Sequence, residues 1–402
     1  MRLKNFRSIA DCDVELGPLT LLVGPNGSGK SNLLKALDLI RDALENGLEI
    51  AIKRQGGMDS LLSRWAFRDP CARLSIHIDL DLSDGRSGSF GLVLKRTRPG
   101  GYTIVKESFR VMMAPPSTSF EELSVSETER TWTNTRSITS SETLASPPTV
   151  LTLPRYADHV HFGPVYRALL GVSFYSLQES SMRQPQSPDS GERLLGNGSN
   201  VVSVFERLLD VNEDGWMPAE RIVDWLGAIT PGIVGIAAPV LDGYQVLRFE
   251  QLLEDGARPF TFSANEMSFG TIRALGVLVA LYQGCMKGGS PVTLVAIEEP
   301  ESAVHPGAAT ALVEAMDEAS LTTQILATTH SASMLDHEDF DVNILRAVVR
   351  KNGRTVIGPI DASSRQVLDE ALYSAGELLD MGHLKPLEAT GDATQAEATM
   401  PA

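Results

Sequence analysis

The chain has 402 residues, 43% hydrophobic and 21% charged, which supplies one large core or two ordinary domains and excludes a disordered polymer. A formal net charge of −16, from 51 acidic against 35 basic residues, excludes a surface that holds nucleic acid electrostatically over its whole extent and leaves room for a local basic groove. Cys12, Cys71 and Cys285 lie far apart with neither disulfide nor metal-ligand spacing, so they are expected as packing residues in a reducing compartment.

The opening MRLKNFRSIADCDVEL lacks the apolar centre of a signal peptide and reads as two short strands, Arg2 to Phe6 and Cys12 to Leu16, joined by a turn at Arg7-Ser8. The longest apolar run, Ala274 to Tyr282, is far too short to span a bilayer, so a soluble cytoplasmic protein with no membrane partner is expected. Gly17-Pro18 then introduces an apolar strand, Leu19 to Val23. The next eight residues, Gly24-Pro25-Asn26-Gly27-Ser28-Gly29-Lys30-Ser31, match the phosphate-binding pattern G-x-x-x-x-G-K-[ST]. Leu33, Leu34, Leu37, Ile40, Ala43 and Leu44 follow at helical spacing from Asn32 onward. Glycines let backbone N–H groups close round phosphates, and the helix start adds a dipole that favours anions. Asn26, Gly27, Ser28, Gly29, Lys30, Ser31 and Asn32 are therefore the candidate nucleotide cradle, with Lys30 for the β- and γ-phosphates and the Ser31 hydroxyl for Mg²⁺. Arg7 and Phe6 lie close to it in sequence, placed either to pack on adenine or phosphates or to sit exposed on the hairpin.

After the loop helix come Gln55-Gly56-Gly57, a short helix through Leu61 and Leu62, and alternating segments at Leu74 to Leu82, Ser89 to Lys95 and Tyr102 to Lys106. They predict an antiparallel β insert, closing an N-terminal lobe over residues 1–113. Residues 114–155 begin rich in Ser, Thr, Pro and Glu and predict a flexible loop where a partner has room to bind. Residues 156–255 carry helical patterns at Val201 to Leu209 and Pro218 to Ile229, with strand-like pieces at Ile233 to Leu241 and Gln245 to Glu250, and predict a helical arm. Residues 256–385 make a C-terminal lobe, and 386–402 a disordered tail.

That lobe holds three further motifs. Asn265 to Arg273 opens an apolar helix running to about Met286, and its Ser268-x-Gly270 start offers a hydroxyl, free N–H groups and a dipole to a second anion. The strand Val292 to Ile297 ends in Glu298-Glu299-Pro300-Glu301, which places Glu298 for the Mg²⁺ shell and Glu299 as general base toward water. A solvated acidic turn is the competing reading of that strand end taken alone. The strand Gln324 to Thr329 ends in His330-Ser331, and a histidine there either meets a γ-phosphate or attacking water or is structural.

Together NFRS at 5–8, GPNGSGKSN at 24–32, MSFGTIR at 267–273, AIEEPESAVHP at 296–306 and TTHS at 328–331 resemble the ATPase head of the ABC superfamily. The likeness is closer to its SMC, RecF-like and OLD-type (overcoming lysogenization defect) branch. Gly196 to Asn200 and Gly376 to Gly382 resemble stand-alone bacterial ATPases without a nuclease domain. The resemblance implies an α/β fold, a P-loop NTPase ABC-type head with mixed sheet, antiparallel β insert and helical insert. It implies ATP and Mg²⁺ as cofactors and a head-to-tail homodimer or higher oligomer. Each site would take Lys30, Ser31, Glu298, Glu299 and His330 from one subunit and Ser268 with Gly270 from the other. It also implies a Mg²⁺-sensing glutamine, for which Gln178 is the candidate and Gln55 the reserve. Two residues depart from the common pattern: Glu298 stands where Asp is usual, and Met-Ser-Phe-Gly replaces Leu-Ser-Gly-Gly.

Two other patterns are set aside. His159-x-His161 lacks further ligands nearby, and Asp339-x-Asp341 precedes a strand, whereas the acidic pair of a TOPRIM nuclease would follow one. The 72 residues after His330 are also few for such a domain. The expectation is an ATP-hydrolysing head that controls a separate effector, a nuclease in antiviral defence by resemblance. A DNA repair or chromosome-maintenance ATPase that binds DNA, an ATP-dependent scaffold and a transporter subunit stand as rivals.

Overall fold

The computed structural model describes residues 1–387 apart from 70, 98–99, 114–118, 136–137, 145–147, 211–215, 254–257, 287–290 and 337–339. The predicted tail from 388 on and Asp339 lie outside the described residues.

Strands β1 (Arg2–Phe6) and β2 (Ile9–Asp13) form a tight hairpin, with β2 starting at Ile9 rather than at the expected Cys12. Strand β3 (Leu19–Val23) is buried throughout. Its period-2 alternation sends Leu19, Leu21 and Val23 into one apolar core and Leu22 into another, so the strand sits between two packed layers. The glycine loop leads into α1 (Lys30–Asn46), followed by α2 (Leu48–Arg54) and α3 (Met58–Leu61).

The antiparallel insert is larger than predicted. After β4 (Arg73–Asp81), β5 (Ser87–Arg96) and β6 (Tyr102–Met112), the segment expected as a flexible loop supplies β7 (Phe120–Ser126), β8 (Glu129–Asn134) and β9 (Ile138–Thr143). Each pairs antiparallel with its predecessor. In β7, Leu123 and Val125 turn inward while Ser124 and Ser126 face outward. A sheet with one solvated face needs few apolar residues, which is why its composition reads like a loop.

Residues 156–255 do not stand out as an arm. Helix α4 (Gly163–Leu170) is followed by β10 (Val172–Tyr175), which joins the main sheet, and by α5 (Glu179–Arg183). Helices α6 (Val201–Leu208) and α7 (Pro218–Ile229) bury Val204, Phe205, Ile222 and Leu226 in the same core as the C-terminal helices. Small strands β11 (Ile233–Ala237), β12 (Val240–Leu241), β13 (Tyr244–Gln245), β14 (Arg248–Gln251) and β15 (Phe260–Ser263) make a three-stranded sheet and a separate hairpin.

The last part runs α8 (Phe269–Tyr282), β16 (Leu294–Glu298), α9 (Ala309–Ser320), β17 (Gln324–Thr329), β18 (Leu345–Lys351), β19 (Arg354–Gly358), α10 (Ala362–Asp369) and α11 (Ala375–Asp380). Helix α8 is buried on every side from Thr271 to Tyr282, which the apolar run from Ala274 permits and for which Arg273 needs hydrogen-bond partners. No helix among the described residues is long and apolar enough to cross a membrane.

Among the described residues one 14-stranded sheet runs β10-β16-β17-β3-β18-β19-β2-β1-β4-β5-β6-β7-β8-β9. Its first five strands are mutually parallel. Register aligns their carboxyl ends: Val23 lies opposite both Thr329 and Ala347, and Glu298 opposite Thr328. In such sheets ligands sit beyond those ends. Here the glycine loop, the acidic pair and His330 leave the sheet side by side.

Candidate active site

The glycine loop is held from the β18–β19 side. Thr355 Oγ1 donates to Ser28 O at 2.7 Å, so the Ser8 hydroxyl must donate to Thr355, 2.6 Å away, while accepting from Asn32 Nδ2 at 2.6 Å. Gly29, at φ 108°, lies so close to this network that a Cβ there would fall 2.1 Å from Thr355 Oγ1. Gly24 meets the Val348 carbonyl equally closely. Lys30 Nζ donates to Gly24 O at 2.6 Å and Pro25 O at 3.2 Å, and burial lowers its pKa against the opposing pull of Glu299 and Glu301.

On the other side of β3 stand the acids. Glu299 adopts φ 47°, a left-handed backbone that costs a non-glycine residue roughly 1–2 kcal/mol. Its N–H is tied to Thr328 O at 3.0 Å, and its Oε1 meets His330 Nδ1 at 3.0 Å. Arg273 braces the carbonyl side: its Nη2 donates to both Glu298 O and Glu299 O at 2.9 Å, and its Nη1 to Leu177 O at 2.7 Å. One buried guanidinium thus joins α8, the end of β10 and the turn after β16.

One cleft of about 550 Å³ is lined by Asn26, Gly27, Gly29, Lys30, Ser31 and Asn32 and by Glu298 and Glu299; His330 lies outside the lining and is joined to it through Glu299. The size suits a nucleotide. Ser31 and Glu298, both in the lining, are hard oxygen donors of the kind Mg²⁺ takes, so the donor set fits that ion. Ser28 is buried beneath the loop, and its hydroxyl has no partner among the described residues.

Other expected residues lie elsewhere. Arg7 is not in the lining; its Nη2 donates to Gln55 O and Oε1, both at 3.1 Å, which also occupies the reserve glutamine. Gln178 is exposed at the start of α5, and Ser176, two residues earlier, lines the cleft instead. Ser268 caps α8 by accepting from Thr271 N–H at 3.0 Å, and neither it nor Gly270 reaches this chain's own cleft. Gly270 has a further reason to be glycine, since a Cβ would fall 2.3 Å from Ala303 O in the turn after the acids.

Sequence reasoning passed over Arg350, which also lines the cleft, and gave no role of their own to the motif residues Ser8, Arg273, Ser302 and Thr328. Arg350 extends from β18 beside the glycine loop, and a basic residue in a strand carries no motif to reveal that. His159 stacks on Phe162 and meets Trp132 edge-on. Among the described residues no cluster of three His, Cys, Asp or Glu suits a metal. Asp341 caps a short turn through Asn343 N–H.

Residues 183–336 match the family model described as "AAA domain, putative AbiEii toxin, Type IV TA system", and residues 1–59 match "AAA ATPase domain". The OLD nuclease of Thermus scotoductus is 23% identical over 379 residues, covering 92% of this chain; the match spans 65% of that protein's own length. The DNA replication and repair protein RecF of Magnetococcus marinus is 49% identical over 41 residues, 10% of this chain and 11% of its own. An Smc head domain with an extended coiled coil, bound to the C-terminal domain of ScpA derived from Pyrococcus furiosus, superposes with a TM-score of 0.50 at 12% identity, covering 92% of this chain and 98% of its own. The chain thus has the fold of an SMC head domain, carries segments at 1–59 and 183–336 that match AAA-type ATPase families, and is distantly similar to OLD nuclease and, over a short stretch, to RecF.

Proposed function

We propose that this head binds and hydrolyses ATP, that two copies close head to tail round two nucleotides, and that the closing controls a separate effector in antiviral defence. The observation that carries the reading is the single cleft into which Lys30, Ser31, Glu298 and Glu299 converge while Ser268 and Gly270 stand outside it. A second anion-binding helix start that misses its own cleft is accounted for if it serves another copy's nucleotide.

In this reading the Gly27 and Gly29 backbone and Lys30 hold the phosphates, and Ser31 and Glu298 provide oxygen donors for Mg²⁺. That ion, when bound, supplies charge neutralisation across the β- and γ-phosphates. Glu299 takes a proton from water as the water oxygen attacks the γ-phosphorus, and the bond to the bridging oxygen breaks to leave ADP and phosphate. His330, hydrogen-bonded to Glu299, orients that carboxylate. Turnover of Mg·ATP by the wild-type chain, lost in Lys30→Ala together with nucleotide binding, is the expected result; equal activity in the two chains would sink the reading.

The effector half draws on the OLD nuclease relative and the AbiEii description, and the bound ScpA domain is a precedent for a head that carries a partner. The RecF match favours a second reading, a DNA-maintenance ATPase. That role requires ATP-dependent duplex binding that falls steeply with salt, which a fluorescence-anisotropy titration measures.

A further inference from the structure

A third carboxylate lies behind the catalytic pair. Glu301 follows β16 by three residues and is only 8% exposed. Its Oε1 accepts from the Thr329 hydroxyl at 2.5 Å, and Thr329 is fully buried at the end of β17. With its one proton committed to Glu301, the Thr329 oxygen can only accept, and it takes the Ser331 N–H at 3.0 Å. Thr329 and Ser331 flank His330, whose Nδ1 meets Glu299 Oε1. Glu299 is in turn joined to the turn that carries Glu301, through Ser302 N–H donating to Glu299 O at 3.0 Å. The contacts form a closed circuit: Glu299 to His330, along the backbone to Thr329, across to Glu301 and back.

Glu301 is an expensive residue to place there. Its Oε2 is buried with no partner among the described residues, and burial pushes its carboxyl pKa up. A buried unpaired oxygen carries a desolvation penalty that a surface acid in the same turn would escape. Stability alone gives no reason to bury it, but a fixed relation between the tips of β16 and β17 does.

We propose that Glu301 is a positioning residue: acting through Thr329, it holds His330 against Glu299, so that the turn at 299–305 sets the rate of hydrolysis without contributing to nucleotide affinity. The proposal rests on the ATPase reading above.

The test uses full-length Glu301→Ala, Glu301→Gln, Thr329→Val, Thr329→Ser and the double variant Glu301→Ala/Thr329→Val. Steady-state ATP hydrolysis is compared with the affinity for a fluorescent ATP analogue. Glu301→Ala and Thr329→Val should each lower kcat about tenfold with KM and affinity within about twofold. Glu301→Gln and Thr329→Ser, which keep the acceptor and the hydroxyl, should stay within about threefold of wild type. The double variant should be no worse than the worse single, because both remove one link. An unaltered kcat in Glu301→Ala, multiplying losses in the double variant, or a KM that rises in step with the fall in kcat overturns the proposal. Should Glu301→Ala fail to fold, the contrast between Thr329→Val and Thr329→Ser decides, since only the hydroxyl separates them. Lys30→Ala is the control: wild type no more active than it sinks the ATPase reading, while an active wild type beside an indifferent Glu301→Ala sinks this inference alone.

Discussion

His330 Nδ1 lies 3.0 Å from Glu299 Oε1 where β17 and β16 end side by side. Their side chains are 42% and 39% exposed, and a pair that open adds at most about 1 kcal/mol to stability. Glu299 also carries a left-handed backbone that works against the fold. The pair makes sense as chemistry rather than as support. Glu299→Gln should lower kcat about 100-fold or more while leaving ATP affinity within about twofold, and His330→Ala should lower it at least about tenfold. Phosphate-release kinetics beside a nucleotide titration separate the two quantities. An ATP affinity that falls with the rate would place Glu299 in binding and not in proton transfer.

Arg350 enters the cleft from the β18 side, across β3 from the acids. Its Nε donates to Gly353 O at 3.4 Å, and no carboxylate among the described residues pairs with it. A cation so placed should meet phosphates near the loop and not the reacting γ-phosphorus. Arg350→Ala should weaken ATP and ADP alike by about tenfold, the worth of one charge-assisted hydrogen bond, with kcat at saturating ATP nearly unchanged. A fall in kcat with affinity intact would move Arg350 to the reacting end.

Away from the cleft, Glu318 on α9 accepts from Arg221 Nε at 2.8 Å and from the Tyr282 hydroxyl at 2.5 Å, joining α7, α8 and α9. The Arg221 hydrogen bond, foremost, lowers its carboxyl pKa from 4.5 to about 2. Above pH 4.5 both folded and unfolded chains hold the carboxylate, and the pairing stabilises fully. Between pH 4.5 and 2 the unfolded chain takes up the proton first, so this stability is lost as pH falls. Urea midpoints at pH 5.5 and 3 should therefore drop more in wild type than in Glu318→Gln. Equal drops would show that the bridge contributes little.

The site was legible in the sequence because its pieces are short and chemically demanding. A glycine loop before a helix, two acids at a strand end and a histidine at another need few alternatives, and the parallel strands under them are buried runs such as Leu19–Val23. Strands β7 to β9 were not legible, because Thr131, Thr133 and Ser141 look the same in a loop as on a solvated sheet face. Arg7 and Gln178 went astray for a related reason. Nearness in sequence brought Arg7 to the nucleotide and the family resemblance brought Gln178, but side-chain direction turned Arg7 to Gln55 and left Gln178 in solvent. Arg273 was visible only as part of a motif; its role as a brace depends on three carbonyls contributed by β16 and the segment after β10.

Phe269, beside Ser268 at the start of α8, is 57% exposed with Arg183 stacked 3.9 Å over its ring, so the helix start that should serve a second copy faces outward. The most direct measurement is the solution mass of Glu299→Gln by light scattering in Mg·ATP and in Mg·ADP. The account predicts twice the single-chain mass with ATP, the single-chain mass with ADP, and return to the single-chain mass with ATP when Ser268→Arg is added. A single-chain mass for Glu299→Gln with ATP demonstrably bound would contradict it.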